Sequence, residues 1–199
     1  SLGPMSSAED SPAKTSPSQE AGQGSFSRQM RGMVRLEDIP DRGTLVEVKA
    51  VDDAYPLYGA ITLNETISLT DALTRRDGIY GALVDPNLLT RLAAKVGDRV
   101  NLGDASFEIR GTIAREPDRV TSVFTLGPRL MVSGEALEST GLIQPGSLIR
   151  NYYRVRLNDG VDREQWLDGM RDTFTDAGWR IRTTEDAAPR VTRFVDRLG

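Results

Sequence analysis

The residues of this 199-residue chain that could move protons are its carboxylates. Asp52 and Asp53 are adjacent, and Glu116 and Asp118 lie one residue apart. Paired acids are what general acid–base and glycoside chemistry use, but that chemistry needs two carboxyls held at a fixed separation. Nothing in the spacing brings these pairs together, and no base or nucleophile is placed to assist them. The chain has no histidine and no cysteine. Their absence removes Ser-His-Asp and Cys-His catalysis, the commonest transition-metal ligand and every thiolate site. The chain therefore reads as no enzyme. A carboxylate-dependent hydrolase, with Asp52 or Asp118 facing a second acid in a pocket, stands as the last of three readings.

Other acidic stretches resolve into structure. Gly97-Asp98 and Gly103-Asp104 have the look of metal or phosphate loops, yet each fits a turn, one at a helix end and one in a hairpin. Neither GxGxxG nor GxxxxGK[ST] occurs. Asn158-Asp-Gly-Val-Asp-Arg-Glu164 lacks the order and the closing Glu of a calcium loop, and reads as a turn followed by a helix cap. No cofactor and no metal are expected.

Composition narrows the class further. The formal charge is −4, with 25 Lys and Arg interspersed among 29 Asp and Glu. Nucleic-acid binding needs a clustered basic face, so none is expected. There is no apolar run long enough to span a bilayer and no leader of charged-then-apolar type. The chain reads as cytosolic or as a soluble part of something larger.

The elements that would position these residues follow from periodicity. Residues 1–24 are rich in Ser, Pro, Ala, Gly and Glu and read as a disordered tail or linker, Gly3-Pro4-Met5 having the form of a cleaved-tag remnant. Arg28 to Leu36 and Thr44 to Val51 read as a hairpin of strands, the second half-buried with Glu47 and Lys49 turned away from Val48. Ser68 caps a helix running through Arg76 that Asp77-Gly78 ends. Tyr80 to Val84 is an apolar strand. Asp85-Pro86 opens a helix with Leu88, Leu89, Leu92, Ala93 and Val96 on one face and Gly97 as its left-handed end. If Gly103-Asp104 form a two-residue turn, Leu102 faces Ala105, Val100 faces Phe107 and Asp98 faces Ile109, so the apolar residues align. Arg129 to Val132 is a strand and Ser133 begins a short helix. From Ile149 the pattern is β-α-β: Tyr152 to Leu157, a helix capped by Asp162, then Trp179 to Thr183.

Two sets of residues are candidates for contact. Tyr55, Leu57 and Tyr58 put apolar area in a loop broken by Pro56 and Gly59; they either meet a partner or pack on their own sheet. Arg190, Arg193 and Arg197 recur beside the apolar stripe of the last eleven residues, as in a helix packed on its domain or one nearing a membrane surface.

Four segments, in order, resemble the extracytoplasmic domain of MacB-type (MacB/FtsX-like) ABC transporter permeases. They are VEVKAVDDAYPLYG (Val46–Gly59), RDGIYGALVDPNLLTRLAAKVGDRVNLGDASFEIRGTIAREPDR (Arg76–Arg119), FTLGPRLMVSGEALESTGLIQPGSLI (Phe124–Ile149) and APRVTRFVDRLG (Ala188–Gly199). The branch most like them is the predicted permease family often encoded beside a lysophospholipase-type esterase. The resemblance implies an α+β fold in which residues 25–199 form the permease domain. A β-rich part with the Gly-Asp hairpin would cover about 60–148, and a βαβ-containing porter-like part about 25–59 and 149–188. Residues 189–199 would lead into a transmembrane helix, with the three arginines near the membrane. The family has a strand and a helix before the YPLYG strand; here that place holds the Ser/Pro-rich tail and Ser25 to Leu36. The implied function is non-catalytic: coupling ATP-driven motion of membrane helices to movement of a lipophilic substrate on the outer face of the bacterial inner membrane. The implied partners are a cytoplasmic ATPase, a second permease protomer, and a periplasmic esterase or lipophilic cargo. A free-standing extracytoplasmic interaction or chaperone-like module is the alternative.

Overall fold

A computed structural model describes residues 22–117 and 127–173. The chain divides into one unit to Asn158 and a second from Asp159. In the first unit the strands are β1 (Gly22–Leu36), β2 (Gly43–Val51), β3 (Thr62–Leu63), β4 (Tyr80–Val84), β5 (Arg99–Leu102), β6 (Ala105–Arg115), β7 (Arg129–Ser133) and β8 (Arg150–Leu157). Three short helices join them: α1 (Leu69–Leu73), α2 (Pro86–Leu92) and α3 (Gly134–Glu138). The fold is α+β and rich in strands, as expected.

Strand pairing closes on itself. The order β2-β7-β4-β6-β5-β1 returns to its start because β1 also pairs with β2, so six strands form a ring. Two neighbours are parallel, β2 with β7 and β4 with β6. A ring has an inside, and alternation sends every second residue there. Val34, Val46, Val48, Ala82, Val84, Val100, Leu102, Phe107, Ile109, Leu130 and Val132 meet in one core, joined by Leu88 and Leu92 of α2 and by Ala136 and Leu137 of α3. The alternate residues Val51, Leu83, Ile113 and Met131 form a second cluster outside the ring with Tyr55, Ala72 and Leu73. β4 is covered on both faces, which is why all five of its residues are buried and its sequence is a continuous apolar run. In β6, Ala82 pairs with Ile109 and Leu83 with Gly111, so Arg110 is an extra residue. That bulge lets Ile109 point into the ring and Ile113 out of it.

The hairpin has the expected register: Leu102 faces Ala105, Val100 faces Phe107, and the Ile109 amide donates to the Asp98 carbonyl at 3.0 Å. Gly103 has φ +57 and its successor does not have a positive φ, the signature of a type II′ turn. Helix starts are also as read: Ser68, Asp85 and Ser133 accept from the Asp71, Asn87 and Ala136 amides.

Four boundaries differ from the sequence reading. β1 begins at Gly22, not past residue 24, because Gly22 to Gln29 pair residue for residue with Leu157 to Arg150; backbone hydrogen bonds need no apolar side chain. α1 stops at Leu73, and Asp77-Gly78, both with positive φ, make a tight turn bridging Arg76 to Ile79. α2 stops at Leu92 with Ala93 in the left-handed conformation, where its amide bonds the Leu89 and Thr90 carbonyls; Gly97 serves the next turn. Lys49 is not on a solvent face but fully buried. β1 and β2 belong to the same ring as β4 to β7.

In the second unit, α4 (Arg163–Thr173) begins at Asp162, whose carboxylate accepts from the Gln165 amide at 2.9 Å. With β8 it supplies the first two elements of the β-α-β pattern; the third, Trp179 to Thr183, lies outside the described residues. No helix among the described residues is long and apolar enough to cross a membrane.

Candidate functional site

The Tyr55-Pro-Leu-Tyr-Gly59 loop follows β2 and is fastened at several points. Asp52 is its first tie: one carboxylate oxygen accepts from the Ser25 hydroxyl at 2.9 Å, the other from the Phe26 amide at 2.6 Å. Tyr55, after which the peptide bond to Pro56 is cis, turns inward. Its hydroxyl lies 3.0 Å from Lys49 Nζ, and that ammonium also stands 4.3 Å from the ring centre. Leu57 is buried and its carbonyl accepts from the Arg156 guanidinium. Tyr58 turns outward, 46% exposed, with Arg156 stacked 4.6 Å from its ring centre and its hydroxyl donating to the Val155 carbonyl at 3.3 Å. The loop is thus bound to β1, β2 and β8 together. Of the three aromatic and apolar candidates, Tyr55 and Leu57 pack on their own sheet and Tyr58 alone presents its side chain to solvent.

Beneath the loop lies a buried ionic cluster. Lys49 Nζ is 2.7 Å from Glu116 Oε1, and both side chains have no exposed surface. Arg129 Nε reaches Glu116 Oε2 at 3.1 Å, and Arg129 Nη1 reaches Glu47 Oε2 at 3.3 Å. Alternation places Glu47, Lys49 and Arg129 on the outward face of β2 and β7, and Glu116 follows directly after β6, under cover of the loop rather than in water. The charges survive burial because each is paired. Glu116 is therefore a structural counter-ion, held by two cations, and not an acid aimed at a substrate.

Of the other acid candidates, Asp53 is exposed and Asp52 is tied into the fold. Asp52 spends its oxygens on β1. Asp98 accepts from the Lys95 amide at 2.9 Å, and the Asp104 amide donates to the Thr140 carbonyl at 2.9 Å, so both Gly-Asp pairs are turns. Asp118 and the arginines at 190, 193 and 197 lie outside the described residues. Among the described residues no group of three acids could hold a metal ion. Sequence reading missed Arg156, whose role depends on a contact 99 residues away in the chain. The available signal was the period-two run Arg150, Tyr152, Arg154, Arg156.

No family model matches the chain. It is 36% identical over 129 residues, 64% of its length, to the uncharacterized ABC transporter permease YbbP of Escherichia coli strain K12. The match spans 15% of that protein, so the chain corresponds to a small part of its relative. Among solved structures, it is similar to the extracellular domain of the noncanonic ABC-type transporter YknZ from Gram-positive bacteria, with a TM-score of 0.51 and 13% identity over 76% of this chain and 72% of that one. A likeness to the periplasmic region of MacB from Actinobacillus actinomycetemcomitans covers 80% of this chain and 69% of that one, with a TM-score of 0.49 and 15% identity. The chain thus resembles a segment of an ABC transporter permease in sequence, and in fold an extracellular domain from such a transporter.

Proposed function

We propose that the chain is the non-catalytic extracytoplasmic domain of an ABC transporter permease. The observation that carries this is the 36% identity to a bacterial ABC transporter permease across 129 residues. The likeness of its fold to the extracellular domain of YknZ agrees with it. So does the state of the carboxylates, which serve as braces and counter-ions. In this reading a cytoplasmic ATPase drives the cycle, a second permease protomer completes the transporter, and the domain moves a lipophilic substrate at the outer face of the inner membrane. A periplasmic esterase is a candidate partner. Residues 149–188 belong to the porter-like part, and Arg190, Arg193 and Arg197 lie where the chain nears the bilayer. Tyr58 is the contact residue of the YPLYG loop.

The test is to read the gene on either side and to express it with its ATPase. A run of about 20 apolar residues should follow Gly199, and ATP hydrolysis should require the ATPase subunit. A stop codon directly after Gly199, or hydrolysis of ATP by this chain alone, defeats the reading.

A further inference from the structure

We propose that the outward face of β8 is a docking surface for an anionic lipid surface. In an extended strand Arg150, Tyr152, Arg154 and Arg156 share one face. Their cross-strand neighbours on β1 are Gln29, Ser27, Ser25 and Gln23; the one carboxylate tied to these is Asp52, on the Ser25 hydroxyl opposite Arg154. A chain of net charge −4 thus exposes the guanidinium groups of Arg150 and Arg156 on one side of an eight-residue strand. Among the described residues no carboxylate pairs with Arg150 or Arg156. Arg156 instead stacks on Tyr58 and donates to the Leu57 carbonyl, contacts that aim the group without neutralising it.

The neighbouring apolar residue decides what the face accepts. Ile149 packs against the ring core, so the chain has already adopted the inward-outward alternation of the strand there. Leu148, just before it, is 93% exposed, more than any other large apolar residue described. An acidic protein surface would satisfy the arginines but leave a protruding leucine without purpose. A leaflet of anionic lipid uses both: guanidinium groups meet phosphates, the tyrosine ring suits the headgroup level, and the leucine enters the acyl boundary. The assignment rests on these residues and is independent of the permease reading.

The experiment is co-sedimentation of the full chain with vesicles of phosphatidylcholine alone or mixed with phosphatidylglycerol, at low and high salt. Binding is expected to the mixed vesicles only and to fall with salt. Arg150→Gln should weaken it about fivefold. Leu148→Gln should weaken it about tenfold without changing the salt dependence. Arg156→Lys, which keeps the charge, should retain binding that Arg156→Gln loses, with circular dichroism confirming that each variant is folded. Equal binding to both vesicle types, or insensitivity of a folded Arg150→Gln variant, overturns the proposal. So does failure to bind vesicles while poly-L-glutamate is bound through Arg150, which would assign the face to an acidic protein.

Discussion

Substituting Glu116 by Gln tests the buried cluster directly. The four described members, Lys49, Arg129, Glu47 and Glu116, carry two positive and two negative charges. Glu116→Gln keeps the shape and removes the carboxylate 2.7 Å from Lys49 Nζ, in a place where the Lys49 side chain has no exposed surface. Breaking a buried pair in this way costs about 3–5 kcal/mol, a large share of the roughly 5–15 kcal/mol that holds a domain folded. Lys49→Met leaves the excess charge negative, but Glu47 is 28% exposed and water can solvate part of it. The loss should then be smaller, about 1–3 kcal/mol, near what an unsatisfied polar group costs. The double variant Lys49→Met/Glu116→Gln leaves Arg129 with Glu47, a neutral pair. It should fall short of the sum of the two single losses by about 1–3 kcal/mol, the coupling typical of residues in one network. Urea denaturation followed by far-ultraviolet circular dichroism measures all three. A double variant as unstable as the sum of the singles, or a Glu116→Gln variant within about 1 kcal/mol of the parent, refutes the argument that charge balance holds this layer.

Further outcomes follow from single contacts. Gly103→Ala forces a side chain into positive φ, and its β-carbon would overlap the Thr140 carbonyl oxygen. It should cost about 2 kcal/mol or more, whereas Gly97→Ala, with φ +95 but open space around it, should cost about 1 kcal/mol. Asp85→Ala removes the cap of α2 and should cost about 1–2 kcal/mol in urea denaturation. Asp52→Ala unfastens the start of β1, so hydrogen exchange at Phe26 and across β8 should quicken while exchange in β6 stays slow. Tyr58→Ala removes an exposed stack and the hydrogen bond to the Val155 carbonyl and should cost about 1 kcal/mol; under the proposed permease role it should also lower transport.

What could be read from the sequence was what short-range chemistry determines. The hairpin register follows from a two-residue turn and five apolar residues, and the helix starts follow from Ser68, Asp85, Ser133 and Asp162. What could not be read was set by partners far along the chain. Lys49 looks like a solvent-facing residue until Glu116, 67 positions later, is placed against it. Gly22-Gln-Gly24 has the composition of a linker, and only β8 makes it a strand. Ala93 takes the left-handed position because the chain must turn back after Leu92 is buried, before Gly97 is reached. Ring closure depends on β1 pairing with β2 along one edge and with β5 and β8 along the other, which no local pattern encodes. In the Tyr55–Gly59 loop the sequence shows two tyrosines but not which of them faces outward.

The length of β1 has a mechanical consequence. Its first eight residues, Gly22 to Gln29, carry β8, while Ser27 to Arg35 are already woven into the ring beside β2. The chain leaves the sheet at the end of β8, so a pull on its continuation runs along that strand and is opposed by β1. Antiparallel hydrogen bonds lie across the strands. Tension along the strands therefore loads all of them at once in shear, not one after another as in peeling. Drawn along its own axis, β8 would carry the ring with it as a stiff lever before the ladder gave way.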